Sequence, residues 1–226
     1  MMECGKTSAQ HEGPEVLVDS LARGGVMMIP LMLASILALA IVIERLWSLR
    51  AGRIMPPEVI PEVHRRCREG RLDPGYLRIL RAGSPLGTIL AAALQARDRG
   101  RPAMRDATEH AGRQVTHELE RYLNTLGTIA SVSPYLGLLG SVIGMIEVFS
   151  AFPASGGLED PARLAGGLSE ILVATAAGLM VAIPSLILYR FLRGRITELT
   201  VRMEEEADHL VATLDEGSYA SPGDAP

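Results

Sequence analysis

The chain has 226 residues, of which 48% are hydrophobic and 21% charged, and its formal net charge is −4. These totals allow one or two domains, but the charges are segregated: three windows are nearly free of them and the stretches between are crowded. That is the pattern of a polytopic membrane protein and not of a soluble core, and with aromatics at only 4% and no basic patch interleaved with them, nucleic-acid binding has no support.

Residues 1–25 carry Glu3, Lys6, Glu12, Glu15, Asp19 and Arg23. This mixed-charge start lacks the basic n-region of a secretory signal, so no cleaved leader is expected. Val16, Leu17 and Leu21 suggest a short interfacial helix within an N-terminal external segment. Residues 26–43 are uncharged over about the 18 residues that mark a membrane-helix candidate, and Pro30 near one end is tolerable there. Glu44, Arg45 and Trp47 then mark an interface, where tryptophan and arginine anchor well.

Residues 44–121 form an arginine-rich loop. Asp73-Pro74 and Ser84-Pro85 each place an N-cap residue before a proline at the first helical position, which predicts short helices near 74–82 and 85–98. The apolar run from Leu86 to Leu94 is too short to span a bilayer and reads as the packed face of a soluble helix. Met104, Ala107, Ala111, Val115, Leu119 and Tyr122 recur at steps of three or four, an amphipathic stripe. With no breaker after it, that helix is expected to run straight into the second span, residues 122–146. This span carries Gly137, Gly140, Ser141 and Gly144 on one face, and small residues there let another helix come close where lipid supplies no hydrophobic drive.

A short external loop, 147–163, precedes the third span at 164–189, which is uncharged from Ile171 to Leu188. Glu170 sits at its head, followed by Thr175 and the small residues Ala174, Ala177 and Gly178. A lone acid at the edge of an apolar span is costly unless it faces a bundle interior or water. Its bland alternative is an interfacial acid near the positive end of a helix. The hydroxyls of Thr175 and Ser141 have an equally plain alternative in bonds to their own backbones. Pro134 and Pro184 are expected to kink their helices. After Tyr189 come Arg190, Arg193 and Arg195, then Ile196, Leu199, Met203, Ala207, Leu210 and Leu214 at helical spacing, so residues 190–216 form a projecting amphipathic helix. A disordered tail is expected over 217–226.

Nearly all Lys and Arg lie in the 44–121 loop and after Tyr189, which orients the chain with its N-terminus outside and its C-terminus inside. Cys4 and Cys67 fall on opposite sides of the first span, so no disulfide is expected, and no spacing suggests a metal site. All five histidines lie outside the spans, leaving an intramembrane serine protease without a base. No P-loop appears, so a nucleotide-driven pump and enzyme readings generally are unsupported.

Three strings carry a resemblance: Val26–Arg45 with its closing Glu44-Arg45, SPYLGLLGSVIGMIEVF at 133–149, and LSEILVATAAGLMVAIPSLILY at 168–189. Together the chain resembles the MotA/TolQ/ExbB proton-channel family, and within it the three-span ExbB and TolQ members. The resemblance implies an all-α inner-membrane protein of three transmembrane helices, the second and third extended into a cytoplasmic helical bundle. It further implies a homopentamer around a pore, with an ExbD- or TolR-like single-span partner and a TonB- or TolA-like energy transducer, and no cofactor. By the same resemblance the proton pathway falls on Glu170, Thr175 and Ser141, the last standing where the family has threonine. Gly137, Gly140, Gly144, Ala174 and Gly178 serve helix packing, Gly140→Leu being expected to break the pentamer. The rival from another class is a non-conducting membrane scaffold that holds partner helices together.

Overall fold

The computed structural model describes residues 27–150 and 161–219, with only the helical backbone described at 161–165, 170 and 215–219. The described residues form helices and turns without a strand: α1 (Met28–Ser48), α2 (Ala51–Ile54), α3 (Val59–Glu69), α4 (Pro74–Gly83), α5 (Pro85–Gln95), a 3-10 turn (Arg97–Arg99), α6 (Arg101–Glu120), α7 (Leu123–Ser150) and α8 (Pro161–Tyr219). Three stretches, Met28–Ser48, Leu123–Ser150 and Gly166–Leu214, are long and apolar enough to cross a membrane. The suggested helix around Val16 lies outside the described residues, as do 151–160 and 220–226.

Helix ends differ from the sequence boundaries. The first apolar helix continues past 43 to Ser48, the second reaches Ser150, and the third begins at Pro161. The backbone of α8 also stays helical through Gly217 to Tyr219, where a tail was expected. A single glycine in a long helix weakens it without ending it. Both α7 and α8 run through their prolines, Pro134 and Pro184.

The chain divides into two compact units, one taking in the chain up to Ala40 with Leu126–Ile187, the other Ile41–Thr125 with the chain from Leu188. In the first, α1 buries Met28, Leu31 and Ala38, while Ile29, Leu33 and Ile36 on its other face are between 62% and 64% exposed. Such a bare apolar face suits hydrocarbon, the one solvent in which it carries no penalty.

The second unit is a small-helix bundle with an ordinary core. Asp73 accepts from the Tyr76 amide and Ser84 from the Gly87 amide, so both N-caps are made as their sequences predict. Leu86, Ile89, Leu90, Ala91, Ala93 and Leu94 are all buried, so α5 is covered on nearly every side. Gly87 is needed where α5 meets α4: an added Cβ would fall onto the Leu80 carbonyl group. The stripe of α8 is buried at every predicted position from Ile196 to Leu214. The α6 stripe is buried at Met104, Ala111, Val115 and Leu119, but Thr108 replaces Ala107 on the inner face and Tyr122 is 40% exposed.

One expectation is overturned here. The α6 helix does not run straight into the second span: it ends at Glu120, and Arg121–Tyr122 form a turn before α7. Arg45, read from the sequence as part of an interface, lies at this point and is only 5% exposed. Its Nη1 donates to the Leu119 carbonyl at 2.9 Å, the acceptor that an unbroken helix would offer to the Leu123 amide. The Arg121 amide instead takes a tighter i−3 bond to Glu118. A side chain inserted into the ladder is a recognised cause of a helix break. The Arg45 guanidinium also lies 4.9 Å from the Tyr122 ring centroid. Its Nε is 2.9 Å from Glu44 Oε2 but not aligned for a hydrogen bond. Trp47 does stay exposed, capped by the Arg53 guanidinium at 4.1 Å.

Candidate functional site

The site forms where α7 meets α8 within the first unit, and small residues decide how closely they meet. A Cβ at Gly137 would stand 2.9 Å from the Ala174 carbonyl oxygen and 3.1 Å from the Gly178 Cα. One at Gly178 would stand 2.7 Å from the Ser133 carbonyl oxygen and 3.0 Å from the Gly137 Cα. These are backbone obstacles that cannot rotate away, so the two glycines let backbone lie against backbone. Gly140 and Gly144 face softer neighbours: Met27 Cβ at 3.2 Å and Ala174 Cβ at 3.3 Å for the first, Ile171 Cγ1 at 3.1 Å for the second. The glycine face of α7 is thus filled largely by the same chain's α8, and by Met27 ahead of α1.

Close approach brings the hydroxyls of Ser141 and Thr175 into direct hydrogen-bond contact. Ser141 is buried, and its Oγ also lies 2.7 Å from the Ile171 carbonyl oxygen and 3.1 Å from that of Gly137. A serine has one proton to give and two lone pairs to receive. The arrangement that satisfies most groups has Ser141 donating across to Ile171 while Thr175 donates to Ser141. The bond to Ile171 crosses between helices, which the purely local reading of Ser141 did not include.

Ser141, Thr175, Ala174, Gly178, Gly137, Gly140 and Gly144 therefore come together on one α7–α8 seam. The backbone of Glu170 lies in α8 next to Ile171, whose carbonyl takes the Ser141 hydrogen bond; its side chain lies outside the described residues. Two further serines escaped the sequence reading. Ser133 is 1% exposed and donates to the Ile129 carbonyl at 2.7 Å, and Ser185 is 5% exposed and donates to that of Val181, also at 2.7 Å. Each sits beside a proline, Pro134 or Pro184, and that adjacency was the one available signal. Among the described residues no group of three or more His, Cys, Asp or Glu side chains could hold a metal.

Comparison with known proteins identifies the family. The model of the MotA/TolQ/ExbB proton channel family matches residues 81–205, a range that holds the whole seam. The chain is 34% identical over 178 residues to the Synechocystis sp. protein described as ExbB-like 1, covering 78% of this chain and 70% of that protein. It is 31% identical over 189 residues to the ExbB homolog of Methanothermobacter thermautotrophicus, covering 83% of this chain and 67% of the other. A shorter stretch of 82 residues is 42% identical to the Tol-Pal system protein TolQ of Haemophilus influenzae, 36% of this chain and 35% of that one. Three helices fit to cross a membrane, a small-residue seam carrying facing hydroxyls, and these matches together make the chain a multi-pass membrane subunit of ExbB/TolQ type: it belongs to the MotA/TolQ/ExbB proton channel family.

Proposed function

We propose that the chain is the proton-conducting subunit of an ExbB–ExbD- or TolQ–TolR-like motor in the inner membrane. In this reading the subunit couples the proton motive force to work by a TonB- or TolA-like transducer. The N-terminus lies on the periplasmic side, the 44–121 segment and the C-terminus lie in the cytoplasm, and copies assemble as a pentamer around a single-span partner. The arginine distribution supports the orientation. The observation that supports the proton pathway is the Ser141–Thr175 contact, in which Ser141 also bonds the carbonyl of Ile171, the residue after Glu170. Each hydroxyl can both donate and accept, so the pair can hand on a proton brought to or from a carboxylate at 170. A charge crossing 100 mV carries about 2.3 kcal/mol, enough to bias a conformational equilibrium of a few kcal/mol.

The scaffold reading has one observation in its favour: every bond that Ser141 makes ties it to its own helix or to α8. As interhelical glue, such a bond is worth about 0.6 kcal/mol on average in a membrane. Reconstituted liposomes with the single-span partner separate the two. Under the channel reading Glu170→Gln abolishes partner-dependent proton flux while the assembly keeps its mass. Ser141→Ala then lowers flux several-fold although thermal stability falls by only about 0.6 kcal/mol. Unchanged flux in Glu170→Gln removes this acid from the mechanism and leaves the scaffold.

A further inference from the structure

A second polar site lies in the other unit. His117, Glu120 and Arg121 at the end of α6, Asn124 at the start of α7, and Tyr189 and Arg193 on α8 line a half-open cavity of about 170 Å³. Leu123 opens the second apolar helix, and Tyr189 closes the uncharged run of the third. The cavity therefore sits where hydrocarbon gives way to charge on both helices.

Its two arginines differ from Arg195 and Arg202 further along α8. Those two both pair with Glu198. Arg193 instead donates from Nη1 to the Tyr189 hydroxyl at 3.0 Å, and Arg121 lies over the Tyr122 ring with its guanidinium carbon 5.3 Å from the centroid. Neither is ion-paired to a carboxylate among the described residues, and both line the cavity with charge that cannot be titrated away. Glu120 lines it too, so with His117 neutral two fixed cations face one carboxylate and leave a single positive charge. Guanidinium groups match the oxygens of a phosphate in geometry, and basic pockets at the end of membrane helices suit anionic headgroups.

We propose that this cavity binds the headgroup of a singly charged anionic phospholipid, its phosphodiester held between Arg121 and Arg193. Glu120 sets the charge preference: it disfavours a doubly charged phosphate monoester and can accept hydrogen bonds from headgroup hydroxyls, as in phosphatidylglycerol. Tyr189, at the end of the uncharged run and with its hydroxyl accepting from Arg193, marks the depth at which the glycerol backbone begins. The proposal depends on α7 and α8 being membrane helices and is independent of whether the seam conducts protons.

The test uses full-length protein, delipidated in detergent and titrated with phosphatidylglycerol, phosphatidylcholine or inorganic phosphate while native mass spectrometry counts bound lipid. Wild type binds phosphatidylglycerol in preference to phosphatidylcholine, and millimolar inorganic phosphate does not displace it. The double variant R121Q/R193Q binds phosphatidylglycerol about thirty-fold more weakly, the effect of two cations near a membrane surface, while R195Q/R202Q is unchanged. Glu120→Gln, which removes an exposed carboxylate and leaves the cations in place, binds it more tightly. Equal loss in both arginine pairs, displacement by free phosphate, or no gain in Glu120→Gln overturns the assignment. The last arm holds even if R121Q/R193Q fails to fold.

Discussion

Arg45 shows how one side chain can bond at the interruption between two helices. It lies buried in the last turn of α1, and its guanidinium donates to the Leu119 carbonyl, the acceptor an unbroken α6 would offer to Leu123. Arg45→Met removes that donor and costs about 1–3 kcal/mol of stability through the lost buried hydrogen bond. The freed carbonyl can then accept from Leu123, so amide exchange at Leu123 slows in the variant even as the thermal midpoint drops; faster exchange there would contradict the account. Glu62 gives a prediction in pH. It accepts from Arg66 Nε at 2.6 Å and pairs with Arg65 on the next turn of α3. The hydrogen bond from Arg66, aided by the Arg65 charge, holds its carboxyl below the usual carboxylate range. A depressed folded value means that the stabilisation is present above the unfolded-state value and is lost as pH falls through the folded one. Glu62→Gln therefore melts lower than wild type at neutral pH, and the two thermal midpoints converge below about pH 4.

At the scale of elements, the α7–α8 seam ranks its glycines by what an added methyl would strike. Gly137 and Gly178 meet backbone at 2.7–3.1 Å, whereas Gly140 meets the Cβ atoms of Met27 and Ala174 at 3.2 and 3.3 Å and Gly144 meets Ile171 Cγ1 at 3.1 Å. Gly178→Ala and Gly137→Ala should each cost about 1–3 kcal/mol by overpacking, and Gly140→Ala clearly less, measured by thermal unfolding in detergent. The order also corrects the choice of probe: Gly140→Leu tests packing of α7 against Met27 and Ala174 of the same chain before it tests contact with any neighbouring copy. The two N-caps were legible because Asp73-Pro74 and Ser84-Pro85 are local signals whose chemistry lies within three residues. Ser84 is buried at 7% exposure, so Ser84→Ala should lower stability by about 1 kcal/mol, more than Asp73→Ala at its exposed position. The break at Arg121–Tyr122 was not legible. Nothing local ends that helix, and the group that bonds at the break lies 74 positions away in sequence from the carbonyl it takes.

For the whole molecule, the apolar windows, the arginine bias and the long strings at 133–149 and 168–189 carried the class of protein, its three membrane helices and its family. These features survive without tertiary information because a bilayer imposes length, composition and charge asymmetry on each segment separately. The stripe from Ile196 to Leu214 was equally readable, since a helix with one buried face writes its period into the chain. Other facts needed the folded chain. Packing alone decided that the glycine face of α7 would be met by α8, that Ser141 would reach the Ile171 carbonyl and Thr175, that Arg45 would be buried, and that Arg121 and Arg193 would share a cavity. Periodicity states which face of a helix is apolar or small. It carries no information on which other helix comes to that face, or on the depth at which two side chains from distant segments stand opposite each other.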